Sequence, residues 1–102
     1  MVKFIAIIRI KPGYDPEESW KIWAAEHAPR TKKTLGADVK KYTIQRVIKP
    51  LNDSDVFGVA EMLFNDLATC ERAMKRVWAS EPDEFWRRCA RVDRIVVEGV
   101  DI

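Results

Sequence analysis

The chain has one histidine, His27, and any acid–base chemistry has to be considered there first. It lies on a helical stripe with Trp20, Trp23 and Ala24, at the three-, four- and seven-residue spacings of one helix face. A neutral imidazole in that setting offers one ring nitrogen as a proton acceptor. A core histidine bonded to a backbone carbonyl fits the same spacing, so the stripe alone leaves both readings open. Tyr42, flanked by Lys40, Lys41 and Arg46, can donate a hydrogen bond to a substrate oxygen, or pack as a strand aromatic beneath a helix. Glu61 interrupts the apolar run Val59 to Phe64. A carboxylate in a buried strand needs a partner. Arg9 is the expected one, either in a structural salt link or as part of a substrate contact. Cys70 and Cys89 match no metal-ligand spacing and read as core residues. No phosphate-binding glycine loop, serine elbow or multi-histidine cluster is present, so no metal and no cofactor are expected.

The elements that must position these residues are legible in the pattern. Val2 to Ile10 is a strand ended by Pro12-Gly13. Asp15, Pro16 and Glu18 form a helix start. Pro29 is expected to interrupt that helix at Ala28, with a further turn or two from Arg30 to Leu35 before Gly36 closes it. Val39 to Ile48 and Val56 to Phe64 read as a hairpin joined by the loop Pro50-Leu51-Asn52-Asp53-Ser54. Asn65 or Asp66 caps a second helix with the stripe Leu67, Cys70, Met74 and Val77. Ser80 and Pro82 open a shorter helix carrying Phe85, Trp86 and Cys89, and Val92 to Val100 is the last strand. The order β-α-β-β-α-β, with one extra short helix, is that of an α+β ferredoxin-like domain.

Helices can cover only one face of such a sheet, yet the first and last strands are apolar at consecutive positions: Phe4-Ile5-Ala6-Ile7-Ile8 and Ile95-Val96-Val97. A second copy packed sheet to sheet would cover the other face, so a homodimer is expected. The 102 residues make one domain, 1–102. With 18 basic against 16 acidic side chains, net +2, the charge is too balanced and too scattered for a dedicated nucleic-acid or membrane-surface protein. The third strand also lacks the basic-Gly-aromatic pattern of RNA-recognition modules. No leader-like segment and no run of ~20 apolar residues is visible, and the chain reads as cytoplasmic with reduced thiols.

Arg9 to Tyr14 (Arg-Ile-Lys-Pro-Gly-Tyr), then Glu18, Trp20, Trp23 and Glu26-His27-Ala28-Pro29, together with Val39 to Tyr42 and Gly58 to Asp66, resemble the EthD domain family over essentially the whole chain. The resemblance implies a dimeric α+β barrel. It also implies kinship with a methylmuconolactone isomerase and, more distantly, with cofactor-free oxygenases and cyclases. In the isomerase-like members a histidine matching His27 and a tyrosine matching Tyr42 lie in the pocket. Met62 stands where the isomerase has a strand cysteine, and Leu51 to Asp55 lacks its second histidine, so the isomerisation itself does not carry over.

What carries over is a cofactor-independent enzyme of oxidoreductase or isomerase/cyclase type, acting on a small apolar cyclic or aromatic metabolite. His27 would remove a proton and Tyr42 would hold the developing oxyanion. Trp20, Trp23, Arg9, Glu61 and Met62 are the expected substrate-binding residues. A non-catalytic metabolite-binding protein is the alternative, and a haem-binding barrel protein is a further one.

Overall fold

The computed structural model describes residues 1–102. Strand β1 (Val2–Ile10) buries every second residue: Phe4, Ala6 and Ile8 face the helices, and Ile5, Ile7 and Arg9 face the opposite side. It pairs antiparallel with β3 (Gly58–Phe64) and with β4 (Cys89–Val97), and β2 (Lys41–Arg46) adds to β3. The resulting order, β2-β3-β1-β4, is the ferredoxin-like sheet. β2 and β3 form the expected hairpin, with shorter strands than the apolar runs imply. β4 begins and ends three residues earlier than expected, so Cys89 opens the strand instead of lying on a helix.

All helices lie on the Phe4 face. Helix α1 (Pro16–Ile22) starts where expected, with the Glu18 N–H donating to Asp15 Oδ2 at 2.8 Å. Its first turn is fastened by Arg88, which donates to Glu18 at 3.3 Å and to Ser19 Oγ at 3.3 Å. The expected interruption at Pro29 does not occur. Instead the chain widens into a π turn, Trp23–His27, in which the Ala28 N–H reaches back five residues to the Trp23 carbonyl. The helix then continues directly as α2 (Ala28–Leu35), with Pro29 in its first turn, where a missing N–H is tolerated.

The π turn also changes which residues share a face. Ser19, Trp23, Thr31 and Leu35 are buried with His27 between them, a step of four throughout, whereas Ala24 is exposed. In a regular helix a four-residue step drifts about 40° each time, and the extra residue in the π turn takes up that drift. Gly36, at φ +59, closes α2 as expected.

Helix α3 (Leu67–Trp78), capped by Asp66, buries Cys70, Ala73 and Met74, while Leu67 is half exposed. The short α4 (Glu84–Arg88) is capped by Asp83 and not by Ser80. The expected Arg9–Glu61 pair is absent. The register sets Glu61 opposite Ile5, and Arg9 lies four residues further along β1, about 13 Å away. Glu61 pairs instead with Gln45 at 2.9 Å and Lys3 at 3.7 Å, and Arg9 with Asp55 at 2.7 Å and Asp93 at 3.2 Å.

Candidate active site

Between the helix layer and the sheet lies a cavity of about 450 Å³, whose wall includes Trp23, His27, Thr31, Tyr42 and Met62. Pockets of this size suit a compact organic molecule. Its apolar part combines strand residues that face the helices, such as Phe4, Ala6 and Met62, with helix residues such as Trp23, Met74 and Phe85. Its polar groups gather where the π turn, α2 and the cap of α4 meet, with Tyr42 and Arg94 added from the sheet.

His27 is held from one side. Its Nδ1 lies 2.6 Å from Asp83 Oδ2. An ionised carboxylate only accepts, so Nδ1 carries a hydrogen, and in the neutral imidazole Nε2 presents its lone pair. The neighbour of Nε2 is Thr31 Oγ1 at 3.5 Å, too long to occupy the nitrogen. Phe85 lies against the ring at 5.2 Å between centroids.

Asp83 does two jobs. Oδ1 accepts the Trp86 N–H at 3.0 Å, capping α4, while Oδ2 faces His27 and lies 3.6 Å from Arg30. Burial opposes its ionisation, but the Trp86 N–H, His27 and Arg30 outweigh that and hold the carboxyl below the usual range. Asp83 therefore stays anionic and fixes the imidazole tautomer.

Tyr42 reaches the cavity from β2. Burial pushes its phenol up to about 12, and hydrogen bonding to Thr31 and Trp23 only partly offsets this. It is a neutral donor at any ordinary pH. Its hydroxyl can therefore donate to an oxygen of a bound molecule. Thr31, 6% exposed, thus stands between the histidine and the tyrosine.

Trp23 forms the rigid end of the site. It stacks on Phe85 at 5.1 Å and 9°, and meets Phe57 at 5.9 Å. Gly58 permits this approach: a Cβ there would sit 2.4 Å from the Trp23 ring and 2.7 Å from the Gln45 carbonyl oxygen. Of the expected site residues, His27, Tyr42, Trp23 and Met62 come together on the cavity wall. Trp20 is displaced from it, packing edge-on against Trp23 at 5.7 Å with the Arg46 guanidinium over its ring at 5.4 Å. Arg9 and Glu61 are on the opposite face of the sheet. Asp83 and Thr31 were not singled out by the sequence. The signal for Asp83 is its position one residue before Glu84, a helix-capping place; for Thr31 it is the four-residue step from His27.

The EthD domain profile matches residues 11–86. No curated protein matches. Among solved structures, an EthD family protein from Bacillus halodurans superposes with a TM-score of 0.71 at 19% identity, covering 98% of this chain and 99% of that one. SnoaB, a cofactor-independent oxygenase from Streptomyces nogalater, gives 0.62 at 16% identity over 99% and 94% of the two chains. A hydroxynitrile lyase from Passiflora edulis gives 0.65 at 13% over 94% and 90%. At these identities the likeness is one of fold. The profile spans most of the chain and includes both His27 and Tyr42: this protein belongs to the EthD domain family.

Proposed function

We propose that the protein is a cofactor-independent enzyme that removes a proton from a small apolar cyclic or aromatic metabolite. The observation that carries this reading is the His27–Asp83 contact of 2.6 Å, which leaves Nε2 as an unoccupied base on an apolar wall. In the step, Nε2 takes the proton of an acidic C–H or O–H, and the electron pair of that bond stays on the substrate as an enolate or phenolate. Asp83 offsets the positive charge of the imidazolium, whose new Nε2–H can turn to Thr31 Oγ1. The Tyr42 hydroxyl donates to the substrate oxyanion. Return of the proton at a second atom gives an isomer. Cyclisation and reaction with O₂ begin from the same anion. A cofactor-independent oxygenase and a hydroxynitrile lyase on the same fold support a catalytic role of this kind.

The probe is 2-tetralone, a bicyclic ketone with an acidic benzylic C–H. The protein is expected to accelerate its deuterium exchange in D₂O, followed by NMR, and His27→Ala to abolish that acceleration. Binding without exchange would favour the non-catalytic metabolite-binding alternative, and exchange that survives His27→Ala would sink the assignment of the base.

The open face of the sheet supports a homodimer. Ile5, Ile7, Val59, Leu63 and Ile95 line up across β1, β3 and β4 with no helix over them. Sedimentation at micromolar concentration is expected to give twice the mass of the chain, and a single-chain mass would remove the dimer from the reading.

A further inference from the structure

The cavity wall carries two arginines, and they differ. Arg30 is already engaged, donating to the Glu81 carbonyl at 2.8 Å and lying 3.6 Å from Asp83. Arg94, opposite Ala6 in the β1–β4 register, points to the helix side and makes no ion pair; its one hydrogen bond is a long 3.5 Å contact to the Val92 carbonyl. Glu81, the other carboxylate of the wall besides Asp83, is exposed and does not neutralise it. Two tryptophans flank Arg94: Trp86 with its ring 5.0 Å from the guanidinium carbon, and Trp78 at 5.9 Å. Both are unusually open for their type, 56% for Trp78 and 38% for Trp86.

This arrangement constrains what the guanidinium can bind. Indoles lie against it, and its N–H groups, which no carboxylate engages, form a planar fork. A fork of that kind matches a carboxylate bidentately and matches a neutral carbonyl poorly. The exposed indole surfaces beside it suit a flat ring attached to that carboxylate.

We infer that the substrate is an anion, a planar cyclic or aromatic carboxylate, whose carboxylate is held at the cavity rim by Arg94 between Trp78 and Trp86. The ring then extends along Val77 and Met74 toward His27. This rests on the proton-abstraction reading for where the reacting atom lies, but the binding itself does not depend on turnover. An arginine that merely shields two tryptophans from water would stabilise the fold without giving any preference for charge.

The test titrates 1-naphthoate and 1-naphthamide, nearly equal in shape and different in charge, into the wild-type protein, Arg94→Gln and Arg94→Lys by calorimetry. Wild type is expected to bind the carboxylate at least about tenfold more tightly than the amide, about 1.4 kcal/mol. Arg94→Gln is expected to lose that preference while keeping its affinity for the amide. Arg94→Lys, which retains the charge without the fork, is expected to keep only part of it. Where Arg94→Gln does not fold, the ratio in Arg94→Lys decides, and an undiminished ratio counts against the fork. Equal wild-type affinities, a preference that survives Arg94→Gln, or no binding of either compound overturns the inference. His27→Ala should keep the full preference while losing deuterium exchange; a wild-type protein that shows the naphthoate preference but exchanges no tetralone deuterium counts against proton abstraction alone.

Discussion

The two faces of the sheet are made from the same strands and treat polar groups in opposite ways. On the open face Lys3, Arg9, Glu61, Asp55 and Asp93 are matched in pairs, partly wet and close to one another. On the helix face the charged and hydroxylic groups are few, sit among Phe4, Met62, Trp23 and Phe85, and depend on one another in sequence: Asp83 on His27, Thr31 between His27 and Tyr42. The difference separates two uses of charge. A pair that satisfies itself at a wet surface contributes little. A group fixed at one end and open at the other, in an apolar wall, is positioned to act on something that enters.

That contrast can be tested from its strongest consequence downward. Trp23→Ala removes a ring that is 1% exposed and forms the rigid end of the site, and urea unfolding is expected to show a loss of about 3–5 kcal/mol. Next in size is Asp83→Asn, which keeps shape and cap but no longer enforces the tautomer. Tetralone exchange is expected to slow about 100-fold while naphthoate affinity barely moves; a variant that loses binding instead would make Asp83 part of the ligand contact. A third effect appears only at alkaline pH. Because burial raises the Tyr42 phenol to about 12, the unfolded chain ionises there first, near pH 10. Wild type should hold its full advantage below pH ~10 and lose stability relative to Tyr42→Phe as pH rises toward 12. Parallel unfolding midpoints for the two proteins across that range would mean Tyr42 is not buried as described. The smallest effect belongs to the open face: Glu61→Gln should change stability by less than about 0.5 kcal/mol and leave exchange unaltered, and a large rate loss would break the comparison.

Local chemistry in the sequence was enough for the element order, the Asp15 cap, a helix start at Asn65 or Asp66, the Gly36 closure and the placing of His27 on a tryptophan-bearing helix face, because each is decided by residues within a turn or two. What was not legible needed a count across space. The Arg9–Glu61 pairing failed because strand register, which sets Glu61 opposite Ile5, depends on how two distant strands align. Asp83 lies 56 residues from His27, and its cap position accounts for it so fully that nothing marks its second oxygen. Pro29 looks like a helix breaker by its own chemistry, yet the chain widens into a π turn before it and the helix passes. Arg94 carries no signal at all in a chain with this many basic residues.

The π turn makes the length of one segment a functional property. Upstream, α1 is anchored by Arg88 at Glu18 and Ser19; downstream, Thr31 and Leu35 are anchored in the core. Between these fixed points the chain holds one residue more than a regular helix would use. Removing any one of Trp23 to His27 would turn everything on one side by about 100° relative to the other, taking the imidazole off its carboxylate or Trp23 off Phe85. Exposed positions such as Ala24, Ala25 and Glu26 are therefore free to vary in kind but not in number, and a related chain one residue shorter here would need its base in another place.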